Sequence, residues 1–351
     1  MSATVIAVDV AKSVFEVAVS TRPGRVAERH RLTRPQFARF VATRPSATVL
    51  MEACGTAHFW GRHAQAHGHR VVLLPPQAVR PYVPRNKTDR ADAKGLLEAA
   101  RNESIHPVPV KSEAQQALTA LHRLRSTWLA ARTARLNTVR GLLREFGVVI
   151  PVGARRVRPT VAALLADADT ALPTALRPAL QSALEEIGDL ERRLREVERQ
   201  IAALATVTPA VAALRTIPGI GLLTSTALIG FVGDATRFPT ARHFASYLGL
   251  TPRERSSGLR RRLGAISKRG DPYLRMLLIH GARSVLCHAK RAAPPGRLQQ
   301  WALALERRRG HNPAAVALAN KLARIAWAVW TTGTAFETHL PPTSTLTLVP
   351  A

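Results

Sequence analysis

Two aspartates three residues apart, Asp89 and Asp92, lie in the run Asn86-Lys87-Thr88-Asp89-Arg90-Ala91-Asp92-Ala93-Lys94, which continues to Arg101 with helical character. On a helix, side chains at that spacing share one face, with Cβ atoms roughly 5–6 Å apart. Two carboxylates about 5 Å apart repel by roughly 3 kcal/mol at an effective dielectric of 20, and a cation between them relieves this. Alone, the pair could equally open a helix, where acids complement the macrodipole. Two acids upstream shift the balance: Asp9 in the apolar run Val5–Val10, and Glu52 at the end of Thr48–Glu52. Converging carboxylates suit a hard divalent cation, Mg²⁺ or Mn²⁺. Two such ions about 3.5–4 Å apart can clamp the attacking and leaving oxygens of a phosphodiester.

A second candidate site lies in the segment Tyr247 to Gly270. There Ser256-Ser257-Gly258 stands in a glycine-punctuated loop among Arg253, Arg255, Arg260, Arg261, Arg262, Lys268 and Arg269. A hydroxyl attacking phosphorus needs its developing negative charge stabilised, and guanidinium groups supply that. The competing reading is a solvated basic loop that only grips phosphate. Upstream, Ile217-Pro218-Gly219-Ile220-Gly221 resembles a helix-hairpin-helix turn. There Gly219 and Gly221 would let backbone N–H groups approach a phosphate. An ordinary tight turn between helices has the same composition.

The elements that must position these groups begin with strands. Val5–Val10, Val14–Ser20 and Val26–Leu32 read as a three-strand meander. A helix over Pro35–Thr43, the buried strand Thr48–Glu52, a helix over Thr56–Ala66 and the strand Arg70–Leu74 follow. The order βββαβαβ closes with the helix that carries Asp89 and Asp92. It would set Asp9 and Glu52 on neighbouring strands, with that helix packed across them.

From Ser112 to Phe146 the chain reads as helix, followed by a proline- and arginine-rich connection, Pro151 to Pro159. Ile187, Leu190, Leu194, Val197, Ile201 and Leu204 alternate spacings of three and four, a heptad seam. That seam could close an internal helical hairpin or pair two subunits. Asp271 caps, and Pro272 starts, a helix to Cys287, and two amphipathic helices follow, Trp301–Arg309 and Pro313–Trp330. The expected domains are 1–110, an acidic metal-binding domain; 111–207, a helical coiled-coil segment; 208–335, a C-terminal helical domain with the serine loop; and a tail, 336–351.

Composition bounds the partner. Lys and Arg number 51 against 23 Asp and Glu, a formal charge of +28 on 351 residues. An arginine-favouring codon bias trades Lys for Arg but does not create an excess over acids. The excess points to a polyanion, and nucleic acid is favoured over a membrane surface. No stretch is long and apolar enough to span a membrane. Cys54 and Cys287 read as core thiols in a reducing compartment, without a disulfide. The histidines His58, His63, His67 and His69 fit no compact zinc ligand set. The expected location is the bacterial cytoplasm, with the nucleoid.

Taken together, the chain resembles transposases of the insertion-sequence-110 family, nearest to its 1111 group. The resemblance rests on Ala7-Val8-Asp9-Val10-Ala11-Lys12, Met51-Glu52-Ala53-Cys54-Gly55, and Pro75-Pro76-Gln77 through Asp89 to Ala93. Towards the other end it rests on Ile217 to Gly221, Leu248-Gly249-Leu250-Thr251-Pro252, Ser256-Ser257-Gly258, Ile266 to Gly270 with Leu274-Arg275, and Val316 to Lys321. It implies a ribonuclease H-like domain of the RuvC-like branch, whose acids Asp9, Glu52, Asp89 and Asp92 bind Mg²⁺. It also implies a C-terminal domain whose nucleophilic serine precedes a glycine, which is Ser257 here, with Ser256 the adjacent alternative. Family members form multimers, dimers or tetramers, that combine the acids of one subunit with the serine of another. They use an element-encoded bridge RNA that pairs with donor and target DNA. Leu259 departs from the pattern, where another small residue is expected. The alternative function is a RuvC-like, structure-specific endonuclease, a Holliday-junction resolvase without serine chemistry.

Overall fold

A computed structural model describes residues 4–23, 25–83, 89–170, 172–291 and 295–337, with backbone alone at 89 and 90. Asn86, Lys87 and Thr88, and most of the tail from 336, lie outside the described residues. The chain divides into two compact units, Met1–Gln116 and Ala117–Ala351.

The first unit is built on one sheet. Strands β1 (Val5–Asp9), β2 (Val14–Ser20) and β3 (Glu28–Thr33) form an antiparallel meander, and β4 (Thr48–Glu52) and β5 (Arg70–Leu74) run parallel to β1. The strand order is β3-β2-β1-β4-β5. Alternation along each strand splits the apolar residues between two faces. One face carries Ile6, Val8, Phe15, Val17, Val49 and Met51 under helices α1 (Arg34–Thr43) and α2 (Ala57–Ala66). At its centre Phe15, Phe37 and Trp60 pack edge to face, with centroids 5.0–5.1 Å apart. The other face carries Ala7, Ala18, Leu50 and Leu74. The short α3 (Pro76–Val79) and α4 (Asp89–Ala99) cover it, the latter through Ala93, Leu96 and Leu97. A mixed sheet with helices on both faces is the α/β architecture expected.

The second unit is helical. Helix α5 (Glu113–Glu145) runs antiparallel to α7 (Arg177–Thr206), as three ion pairs record: Arg125–Glu198 at 2.8 Å, Arg132–Glu191 at 3.7 Å and Arg135–Glu186 at 2.7 Å. Between them in sequence lies α6 (Ala154–Ala166), where a loop was expected. Its Val157 and Val161 are buried with Leu136, Leu143, Leu180 and Ile187, and this packing holds a helix despite Pro159 inside it. The heptad stripe of α7 is therefore buried by the chain's own helices: Ile187 and Ile201 are both 0% exposed.

Beyond it, α8 (Pro209–Leu214), α9 (Leu222–Val232), α10 (Ala241–Tyr247), α11 (Pro272–Ala289), α12 (Arg297–Arg309) and α13 (His311–Thr332) enclose one core. Helix α9 is buried almost throughout; its Ser225 and Thr226 donate to carbonyls of the preceding turn, Gly221 O at 3.0 Å and Leu222 O at 2.6 Å. Alanines 314, 315, 319, 323 and 326 of α13 are fully buried, small enough to admit its neighbours closely. A two-stranded ribbon, β6 (Pro252–Glu254) and β7 (Leu263–Ile266), stands out between α10 and α11. Among the described residues no helix is long and apolar enough to cross a membrane.

Candidate active site

Three acids of the first unit, Asp9, Glu52 and Asp92, lie toward one face of the sheet. Val8 pairs with Met51, so Asp9 and Glu52, one residue further, end neighbouring strands. Each has the parity of a residue under α4: Asp9 that of Ala7, Glu52 that of Leu50. The far end of α4 is fixed by a cavity where Leu97 and Ala100 meet Val5, Thr48 and Leu50 near the strand starts. The N-terminal turn of α4 therefore lies toward the strand ends that carry Asp9 and Glu52. Asp92 sits in that turn, four residues before the sheet-facing Leu96; residue 89 opens the helix, and its side chain lies outside the described set. Among the described residues no three Asp, Glu, His or Cys side chains close round a common point.

A carboxylate that sequence reasoning passed over joins this face. Glu16 pairs directly with Asp9 across β1 and β2, and is only 8% exposed. Its signal was legible in Val14-Phe15-Glu16-Val17, an acid inside an otherwise apolar strand. The donors that Asp9, Glu16, Glu52 and Asp92 contribute are all carboxylate oxygens, which suit Mg²⁺ better than a softer metal.

The serine segment is a hairpin, not an open loop. Ser257 and Arg260 exchange backbone hydrogen bonds at 3.3 and 3.2 Å around Gly258 and Leu259. Gly258 has φ +55° and Leu259 has negative φ, the arrangement of a type II′ turn, which needs glycine only at its first position. The turn leaves Leu259 fully exposed, so the missing small residue is no defect. The ribbon's base closes where Lys268 N donates to Gly249 O and Ser267 N to Thr251 O.

Pairing sorts the ribbon's side chains. Ser257 lies opposite Arg260, and Arg255 N donates to Arg262 O, so alternation groups Ser257 with Arg255, Arg260 and Arg262. Glu254, Ser256 and Arg261 fall on the opposite side, tied together: Ser256 donates to Glu254 at 2.7 Å, and Arg261 pairs with Glu254 at 3.3 Å. The Ser256 hydrogen bond, then the Arg261 charge, hold the Glu254 carboxyl below its usual range. Among the described residues the Ser257 hydroxyl has no hydrogen-bond partner. Arg253 reaches Ser267 O at 3.4 Å, and Lys268 takes a positive φ of 56° that side chains rarely adopt.

Other candidates serve the scaffold. A Cβ on Gly219 (φ +84°) would lie 2.7 Å from Gly281 O, so this glycine lets the α8–α9 turn touch α11. Gly221, by contrast, is exposed at the N-cap of α9. His69 is a satisfied core histidine, bonded to Val41 O and Ala47 N, and His58 Nδ1 accepts from Lys111 N. Both cysteines are free, but Cys287 is exposed rather than a core thiol, because it lies off the buried stripe of Leu278, Ala282, Val285, Leu286 and Ala289. Cys54 is half-buried, and burial pushes its thiol up.

Two family models match the two ends of this geometry. One, a transposase model of the DEDD kind found with insertion sequence 110, covers residues 6–148. The other, described as the transposase IS116/IS110/IS902 family, covers residues 211–295. A probable family 20 transposase of Pseudomonas aeruginosa is 44% identical over 342 residues, covering 96% of this chain and 99% of its own. This chain belongs to the IS110 family of transposases. The IS1111A transposase of Coxiella burnetii is 38% identical, over 93% of this chain and 89% of its own. The IS1328 transposase of Yersinia enterocolitica is 37% identical, over 95% and 98%. The IS110-family assignment makes the chain an enzyme of DNA cleavage and recombination. DEDD transposase domains usually depend on a divalent metal. The first matched region contains Asp9, Glu52, Asp89 and Asp92; the second contains Gly219, Gly221 and the serine ribbon.

Proposed function

We propose that this transposase exchanges strands between an insertion element and its target by attack of Ser257 on a DNA phosphate. The observation that carries the reading is the contrast between the two serines. The Ser256 hydroxyl is committed to Glu254, whereas that of Ser257 is uncommitted and shares a ribbon face with Arg255, Arg260 and Arg262. Those guanidinium groups would hold the phosphate and stabilise its added charge. The Oγ–P bond forms as the bridging P–O bond to the next nucleotide breaks, and the departing oxygen takes up a proton. Lys268, Arg269, Arg253 and Arg261 would widen the phosphate-binding surface. Gly221, at the exposed start of α9, would add backbone N–H groups in helix-hairpin-helix fashion.

Asp9, Glu52, Asp89 and Asp92 would hold Mg²⁺ or Mn²⁺, with Glu16 beside Asp9. Bound there, the metal supplies Lewis acidity at the phosphodiester oxygens. Within the +28 charge there is ample capacity for donor DNA, target DNA and an element-encoded guide RNA, whose base pairing would read sequence while protein holds backbone. Subunit pairing would not use the α7 seam, which is already buried. Exposed Leu142, Phe146, Val149 and Val152, near the end of α5, offer an apolar surface for it.

The test is a denaturing gel with end-labelled element-end DNA. Wild-type protein should give a slow-migrating protein–DNA adduct, and Ser257→Ala should give none while still binding DNA. Cleavage without any adduct in the wild type would replace serine attack by metal-dependent hydrolysis.

A further inference from the structure

Beside the serine ribbon lies a groove outside the serine and carboxylate sites. It runs between β7, α12 and α13 and encloses about 1220 Å³. That is larger than the ~300–1,000 Å³ of a pocket for a small molecule. Its floor is apolar, with Ile266 and Leu305. On one wall the Trp301 indole is 37% exposed. Lys321 and Arg324 of α13, with Arg309 at the end of α12, form the rim.

Two observations say what this groove fits. No acidic residue lines it, and none of the three rim cations has a carboxylate partner among the described residues. Lys321 instead places its ammonium 4.2 Å from the Trp301 ring centroid, and partial burial, then the neighbouring Arg324, press its pKa down. A partly buried ammonium beside two exposed guanidinium groups, none of them with a counter-charge among the described residues, suits an anion. An exposed indole among aliphatic side chains calls for a flat apolar ring. A nucleotide unit of a single strand offers both at once. The chain's own residues 338–351 carry no acidic side chain and would leave the cations unneutralised.

We propose that this groove holds an unstacked base of single-stranded DNA, on Trp301, with its phosphates on Lys321, Arg324 and Arg309. The strand is the continuation of the one gripped at the ribbon tip, so the inference rests on the transposase reading of Ser257. The ribbon joins the two places: β7 begins just past the arginine run, and four residues of strand separate the level of Ser257 from that of Gly264, about 13 Å. A strand attacked at the tip reaches the groove within a few nucleotides. There, an unpaired base next to the cleaved phosphate is taken out of solution before exchange.

The experiment measures binding by fluorescence anisotropy, with labelled oligothymidylate, oligouridylate and a duplex of equal length. All arms use a Ser257→Ala background, so binding is read without cleavage. Trp301→Leu should weaken oligothymidylate roughly 5- to 150-fold, the cost of one lost stacking platform, and leave the duplex within about twofold. Trp301→Phe should keep most of the affinity, and Lys321→Gln should flatten its salt dependence. With Trp301 intact in the same Ser257→Ala background, 5-bromodeoxyuridine photocrosslinks should map to the peptide that contains Trp301, which tests the proposal even if Trp301→Leu fails to fold. Unchanged oligothymidylate binding in Trp301→Leu overturns the proposal, as does an effect confined to RNA. Tighter binding after removal of residues 338–351 overturns it too, by making the tail the occupant. If the groove fails while wild type forms the Ser257 adduct, the transposase reading stands alone. If the adduct fails while the groove binds, only the serine chemistry falls.

Discussion

Ser256 donates its hydroxyl to Glu254, with Oγ and Oε1 2.7 Å apart. The same oxygen accepts the backbone N–H of Arg262 at 3.1 Å, so it pins one ribbon strand to the other. A hydroxyl in that position would have to give up a charge-assisted bond before it could attack. Ser256→Ala should therefore retain the covalent adduct and slow strand exchange by no more than about tenfold, the worth of one such bond. The adduct gel checks this. Loss of the adduct in Ser256→Ala together with its survival in Ser257→Ala would exchange the roles of the two serines.

Asp9 has a carboxylate neighbour on either side, Glu16 on β2 and Glu52 at the end of β4. Asp9→Asn should cut strand exchange at least about a hundredfold, as expected when a metal's charge stabilisation is lost. Thermal unfolding supplies a readout apart from activity. Saturating Mg²⁺ should raise the wild-type Tm by several degrees and leave Asp9→Asn unmoved. A Tm shift of equal size in both proteins would remove Asp9 from the metal site.

The α7 stripe gives a prediction opposite in kind to a subunit seam. Leu194 and Ile201 are buried within the single chain, so an aspartate at either position places an unpaired charge in a core. Leu194→Asp should cost several kcal/mol and lower the Tm sharply. A folded, smaller particle of unchanged Tm, seen by light scattering, would instead mark α7 as the surface between subunits.

His122 makes the second unit sensitive to acid. It is wholly buried on α5, bonded to Tyr273 Oη and Thr226 Oγ1 at 3.0 Å each. Thr226 spends its own proton on Leu222 O, so Nε2–H of the imidazole is the donor to it and Nδ1 accepts from Tyr273. Burial first, then the charge of Arg125, lower the His122 pKa to about 4. The unfolded chain, near 6.5, binds the proton more readily. Stability is therefore fully present above about pH 6.5 and is lost as the pH falls toward 4, by about 3 kcal/mol in all. Urea midpoints at several pH values should show this slope in the wild type and its loss in His122→Gln. A slope that persists in the variant would place the acid sensitivity elsewhere.

Much of the first unit was legible because its central strands are short, nearly continuous apolar runs bounded by polar turns; β2, β4 and β5 begin and end where those runs do. The meander and two parallel strands then put Asp9 and Glu52 side by side. What escaped was set by packing or by short pairing. Two prolines and a cluster of arginines masked α6, which only the apolar faces of α5 and α7 hold in place. The ribbon strands are too short for periodicity to register. Yet Ser-Gly-Leu-Arg does carry the glycine-first signature of a type II′ turn. Glu254 was hidden for the same reason: only a strand puts it beside Ser256, and in a loop its place two residues away says nothing.

Gly219 and Gly281 meet backbone to backbone, with no side chain between the α8–α9 turn and the middle of α11. Side chains can re-pack to absorb a small shift; two touching peptide planes cannot. A push on the turn must therefore travel along α11 as a stiff rod. Ten residues, about 15 Å, toward its start lies Asp271, whose carboxylate caps the helix at the N–H groups of Tyr273 and Leu274. The ribbon's base is anchored just before it, through Lys268 and Gly249. The turn, α11 and the base of the ribbon that carries Ser257 thus form one mechanically continuous path, with a glycine pair at one end and a helix cap at the other.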